Sequence, residues 1–248
     1  MVALSLWEVC ATRRDAHAVP DDDAWRKAAA IVRSGYHAGD LIVFAPDWAD
    51  PIGRLVLGDL IPLDVAARMD GAKFARIWEV SIRDAHAPET AGLAAADTRE
   101  VDGVTVRRFE REPAVVTADI LAALPTAQWK DGRGTLELAE VGFAPHRCIQ
   151  IIPPVNGATS VMFAQLPLGT HLVGYVGLAD VFHRRDIRAP GTLTVAIAGT
   201  QVATATAGVD DGWVRFEATT TPGAADVTFT ASATAPDRRI CFAAEARR

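Results

Sequence analysis

The chain has 248 residues, 50% apolar and 23% charged, with a formal net charge of −6. That composition belongs to a folded protein and not to a disordered one. Residues 1–130 carry 15 basic and 20 acidic side chains and residues 131–248 carry 10 and 11, so neither half has the basic face that nucleic-acid binding requires.

The first residues, Met1 to Cys10, contain a short apolar stretch. It falls short of the ~20 residues of a membrane span and lacks the basic start and A-x-A site of a signal peptide. It reads as a helix start packed on the domain; the competing reading is the tail of a longer span. Asp21-Asp22-Asp23 precede Ala24 to Val32, the pattern of an acidic helix start, and Gly35 and Gly39 end that helix. Leu41 to Ala45 is a continuous apolar run, as in a strand buried on both faces. Ile52–Leu60 and Leu63–Met69 read as helices and Ala75–Ile82 as a second strand. Thr90–Ala96 and Val116–Leu124 read as short helices. Between them, Arg99–Phe109 reads as a hairpin turning on Asp102-Gly103. The β-α-β order predicts a small Rossmann-like α/β domain over residues 1–130. No G-x-G-x-x-G follows the first strand, so dinucleotide binding is not expected.

From Asp131-Gly132-Arg133-Gly134 onward the grammar changes. Nine short strands are predicted, over 135–141, 147–152, 160–166, 172–176, 192–198, 201–207, 213–219, 226–233 and 239–246. Leu193, Val195 and Ile197 alternate with Thr192, Thr194 and Ala196, which puts one face inward and one outward. Residues 131–248 are therefore expected to form an antiparallel β-sandwich.

Gly177-Leu178-Ala179-Asp180, then Gly191 to Gly199, then Gly212-Trp213-Val214-Arg215-Phe216, then Asp226-Val227-Thr228-Phe229 follow one another in this half. Over residues 135–248 this succession resembles the galactose-binding-like jelly rolls of carbohydrate-binding modules. The resemblance implies non-catalytic glycan binding through exposed aromatics, for which Trp213, Tyr175 and Phe182 are the candidates, and in some members a structural calcium. In the first half, Asp23-Ala24-Trp25 through Gly39-Asp40-Leu41-Ile42-Val43-Phe44-Ala45-Pro46 resembles the soluble segment of bacterial lipid-linked-sugar glycosyltransferases of the GT-C type. That likeness implies an accessory or detached domain with a membrane glycosyltransferase as partner, because such enzymes catalyse among membrane helices.

Two charged constellations stand out. Asp47, Trp48, Asp50 and Arg54 follow the first strand, where α/β sheets bind ligands. Two carboxylates and an Arg there suit acid–base work on a sugar or phosphorylated ligand; the plainer reading is a helix cap, with Asp50 as N-cap and Pro51 at the first helical position. Asp180, His183, Arg184, Arg185 and Asp186 form a charged inter-strand loop. It suits ligand or calcium binding, or is a solvated loop. Cys10, Cys148 and Cys241 lack zinc spacing; Cys148 and Cys241 are either a disulfide between neighbouring strands or two buried thiols. The remaining histidines, among them His86, His146 and His171, read as surface or packing residues.

These readings converge on a non-catalytic, periplasmic or extracellular glycan-binding or accessory protein, with membrane tethering in a longer parent and a cytoplasmic location as the alternatives. An enzyme acting at the Asp47–Arg54 loop and a structural interaction domain are the other function classes.

Overall fold

A computed structural model describes Ser5, Trp7, Glu8 and residues 19–179 and 189–248. The chain divides into two units, one of residues 1–65 and 70–113 and one of 66–69 and 114–248. No described helix is long and apolar enough to cross a membrane.

The first unit is built on a four-stranded sheet of order β1 (Leu41–Ala45), β2 (Arg76–Ile82), β4 (Val104–Glu110), β3 (Ala95–Val101). Helix α1 (Asp22–Gly35) starts as the acidic run predicts: the Asp21 side chain accepts a hydrogen bond from Ala24 N at 2.9 Å, and Asp22 and Asp23 fill the first turn. The helix buries Ala24, Trp25, Ala28, Ala29 and Val32, one apolar face at 3.6-residue spacing. All five residues of β1 are buried. Helices α2 (Asp50–Leu57) and α3 (Leu63–Ala66) lie in the crossover from β1 to β2, which run parallel.

A Rossmann-like domain does not form. β1–β2 is the only parallel pair of this sheet; β4 pairs antiparallel with β2, and β3 with β4. The hairpin itself is the reason. Asp102 and Gly103 both take left-handed φ values, 47° and 82°, and fold β3 and β4 into a tight two-residue hairpin. β4 then occupies the edge of β2 that a further parallel strand would need. The helix expected over Thr90–Ala96 is a single 3-10 turn, Pro88–Thr90, followed by β3.

The second unit is a sandwich of two antiparallel sheets. One has the order β13 (Val214–Thr219), β10 (His171–Leu178), β15 (Ile240–Arg247), β8 (Ala144–Ile151), β7 (Gly134–Val141), with β5 (Val116–Asp119) also on β15. The other has the order β12 (Thr200–Ala207), β11 (Gly191–Ile197), β14 (Gly223–Ala233), β9 (Gly157–Leu168), β6 (Gln128–Lys130). Every one of the nine predicted strands is present. Their inward positions, including Ile149, Leu172, Ile240, Phe163, Leu193 and Phe229, form one fully buried cluster. Phe229 of β14 stacks on Phe242 of β15 at 5.4 Å, joining the two sheets across the core.

The boundary between the units lies at 113/114 and not at 130/131. β5 pairs with β15, β6 pairs with β9, and Ile120 is wholly buried in the sandwich core. Residues 114–130 therefore complete the sandwich. Of the helix expected over Val116–Leu124 only α4 (Ile120–Ala123) is helical, because Val116–Asp119 is extended on β15.

Cys148 of β8 and Cys241 of β15 are joined in a disulfide with Cα atoms 5.5 Å apart. They sit diagonally on the outer face of adjacent strands, since Cys241 is opposite Gln150. Both are fully buried, beside Val141 and Ala179. The bond closes a sequence separation of 93 residues. Loop-closure entropy for that span amounts to about 4–5 kcal/mol. The Cys148→Ala/Cys241→Ala variant is expected to unfold in urea with stability lower by about that amount. A loss below ~1 kcal/mol would show that the unfolded chain is not constrained by the link.

Candidate functional site

The Asp47–Arg54 segment has the geometry of a helix start. Asp47 and Trp48 begin a 3-10 turn after β1, and Asp50 and Pro51 are the first two residues of α2. The N-cap position belongs to Ala49, without a side-chain cap, so the expected cap is displaced by one residue. Arg54 Nε holds Asp50 Oδ2 at 2.5 Å, one turn along the same helix. The two charges are thus paired with each other along the helix. Trp48 is 56% exposed, and the Arg83 guanidinium lies 5.6 Å above its ring. Asp180, His183, Arg184, Arg185, Asp186 and Phe182 lie outside the described residues.

Tyr175 and Trp213, distant in sequence, are brought together on the outer face of the β10–β13 edge. Leu172, Val176 and Leu178 of β10 point into the core, which turns Val173, Tyr175 and Gly177 outward. Gly177 is what admits the indole: a Cβ there would stand 2.3 Å from Val141 Cγ1, 2.7 Å from Gly212 O and 3.2 Å from the Trp213 ring. The Trp213 ring is fixed from three sides. His146 of β8 stacks on it at 4.4 Å and 12°, Tyr175 runs parallel at 6.0 Å and 7°, and Trp213 Nε1 donates to Met69 O at 3.1 Å. Trp213 is thus held by its neighbours, and Tyr175, half-buried, lies parallel beside it.

A charged row continues from Tyr175 along the same face. Arg215 of β13 lies directly opposite Tyr175 and bonds Glu217 at 2.5 Å; His171 approaches Glu217 from the start of β10 at 2.8 Å. Arg215 and its hydrogen bond hold the Glu217 carboxyl below its ordinary range, against some desolvation. Partial burial disfavours the Arg215 charge, but Glu217 and Tyr175 outweigh it and keep the guanidinium above its usual value. The result is an aromatic ring beside fixed donors and acceptors in one line. The arrangement offers an apolar ring face beside charged groups able to hydrogen-bond. Strand alternation places Arg215 and Glu217 with Trp213 on the face opposite Phe216, a signal the sequence carries. His171 and His146 carry no local signal. Among the described residues, no group of three or more His, Cys, Asp or Glu side chains is placed to hold a metal ion.

No family model and no curated protein matches the chain. Solved structures do. A carbohydrate-binding module 51 domain of Clostridium perfringens, solved with methyl-galactose, is similar at 9% identity over 48% of this chain and 92% of that one, with a TM-score of 0.36. A carbohydrate-binding module 35 of Paenibacillus barcinonensis is similar at 11% identity over 51% and 94%, with a TM-score of 0.32. Domains of Clostridium perfringens ZmpB, solved with GlcNAc, are similar at 12% identity over 68% of this chain and 40% of that longer one, with a TM-score of 0.38. The sandwich assignment rests on the strand pairing described above.

His146 is the site's acid-sensitive element. Burial under Trp213 pushes its pKa down to about 4; the Arg68 carbonyl, 3.1 Å from Nδ1, opposes that shift and the Arg68 charge adds to it. The imidazole is therefore neutral in the folded state at neutral pH. A folded pKa below the unfolded value of about 6.5 means that the unfolded chain binds the extra proton. The stability contribution is whole above pH ~6.5 and is lost as pH falls towards 4, a total of roughly 3 kcal/mol. Urea unfolding of the native protein at steps between these pH values should show that decline. His146→Gln, which does not titrate, should flatten it; an unchanged slope in the variant rules His146 out as its source.

Proposed function

We propose that this protein is a non-catalytic glycan-binding protein acting outside the cytoplasm, and that the Tyr175–Arg215–Glu217–His171 row is its binding surface. The observation that carries the reading is Tyr175 aligned parallel to a fixed Trp213 with a cation directly opposite it on the next strand. Preorganised aromatic and charged groups lower the ordering cost of a weak polar ligand. The buried Cys148–Cys241 disulfide supports an oxidising compartment. Membership of a cell-envelope glycan system, with a membrane glycosyltransferase as partner, belongs to the same proposal and is supported by the first-half sequence likeness. The Asp47–Arg54 alternative is disfavoured because Asp50 and Arg54 neutralise each other.

Methyl-galactose and GlcNAc, the sugars in two of the similar structures, are the first ligands to titrate, followed by a glycan array. Tyr175→Ala and Arg215→Ala should each weaken the best ligand by about tenfold or more, the size of one lost ring or charge-assisted contact. Asp47→Ala should bind as the native protein does. Full binding by Tyr175→Ala, or loss in Asp47→Ala, would overturn the assignment.

A further inference from the structure

A second polar site lies in the first unit, on the face of the sheet that α1 does not cover. Its centre is Glu79, in the middle of β2 and wholly buried. Four donors converge on this carboxylate. Oε1 accepts from Arg107 Nη1 at 3.0 Å and from His86 Nδ1 at 3.1 Å; Oε2 accepts from Ala87 N at 2.8 Å and Thr90 Oγ1 at 2.5 Å. Register explains the first contact, since Glu79 and Arg107 are directly opposite on β2 and β4. The other three come from the segment that turns back beneath the sheet after β2. That turn is made by Arg83 and Asp84, both left-handed at φ 57° and 54°, and closed by Ala85 N on Ile82 O at 3.1 Å. Two successive residues other than glycine in that region are uncommon.

The set does more than satisfy a buried charge. His86 Nδ1 is engaged with Glu79, which leaves Nε2, on a side chain 57% exposed, as the ring nitrogen without a partner among the described residues. Arg107 is the reverse case, with only 14% of its side chain exposed. Its Nη1 is spent on Glu79 and on Ser81 Oγ at 2.7 Å. Among the described residues nothing pairs with its Nε or Nη2. Ser81, fully buried, is fixed beside it. Glu79 thus locks a guanidinium and an imidazole in place and leaves the outer nitrogens of both without a protein partner. A guanidinium held in this way offers a fork of donors matched to a carboxylate or phosphate.

We infer that Arg107 and His86, positioned by Glu79, form a binding site for a small oxyanion, a carboxylate or phosphate group, in the first unit. The ligand's oxygens meet the outer nitrogens of Arg107, and His86 Nε2 pairs with a further oxygen. Glu79 is a positioning residue that never touches the ligand. The inference does not depend on the glycan surface, which belongs to the other unit.

Calorimetric titration of the full chain with inorganic phosphate and, separately, with sodium acetate tests it, with the His86 ring resonances followed by NMR in parallel. A saturable signal at about 1 mM or tighter with either anion is expected, together with a shift of the His86 resonances; which anion gives it distinguishes phosphate from carboxylate recognition. Arg107→Lys keeps a charge against Glu79 but loses the planar fork, and should bind about tenfold more weakly. His86→Ala alters an exposed side chain and should also weaken binding, with unchanged thermal unfolding. Tyr175→Ala should bind the anion as the native protein does. The proposal is overturned if neither anion gives a saturable signal, or if Arg107→Lys and His86→Ala both bind normally.

Discussion

The last strand, β15, is the constraint on which the second unit depends. All eight of its residues are buried. It is paired with β10 on one edge and with β8 and then β5 on the other. Ile240, Phe242, Ala244 and Ala246 fill the sandwich core, while Cys241 on the opposite face carries the disulfide. Glu245 and Arg247 on that face form a buried ion pair at 2.6 Å. A strand with no free edge and no free face can be placed only when its partners are already at hand. Those partners are scattered from residue 116 to residue 178, so the sandwich is a structure of long-range contacts that form late relative to local ones.

That single placement decides several other features. Because β5 completes the edge of β15, the chain from 114 onward belongs to the sandwich, although its composition resembles the α/β half. Because β8 is the other neighbour, Cys148 and Cys241 meet. Because β10 lies on the opposite edge, its outward residues Tyr175 and Gly177 come beside Trp213 and Arg215. The glycine-lined seat for the Trp213 ring, the His146 stack beneath it and the charged row along β13 all follow from that neighbourhood.

The first unit obeys a different rule. In its short sheet, β1 and β2 are buried on both faces, so each of these two strands must present side chains to two environments. β2 does so by alternation, with Trp78 on the side of α1, against Gly35, and Ile77 and Glu79 on the opposite side, towards Ala87. A carboxylate in such a position is tolerable only when every lone pair is engaged. Glu79 meets that condition, and the groups that satisfy it are the ones that give the unit its chemistry.

Much of this was legible in the sequence, and the legible part is local. The buried run of β1, the acidic start of α1, the Asp102-Gly103 hairpin and the nine alternating strands follow from hydrophobic period and turn chemistry, which act over a few residues. The hairpin even carried the evidence against a Rossmann-like sheet, since an antiparallel return closes the edge that a parallel strand would use. Trp213 and Tyr175 stood out as aromatics but not as neighbours, and Glu79, His86 and Arg107 carried no signal as a group. Strand order, the unit boundary, the pairing of Cys148 with Cys241 and the convergence on Glu79 were decided by tertiary structure alone. The physical reason is that a short alternating strand matches many partners equally well. The choice among them comes from burying both faces of β15, and both faces of β2, at the same time, a condition no local stretch of residues contains.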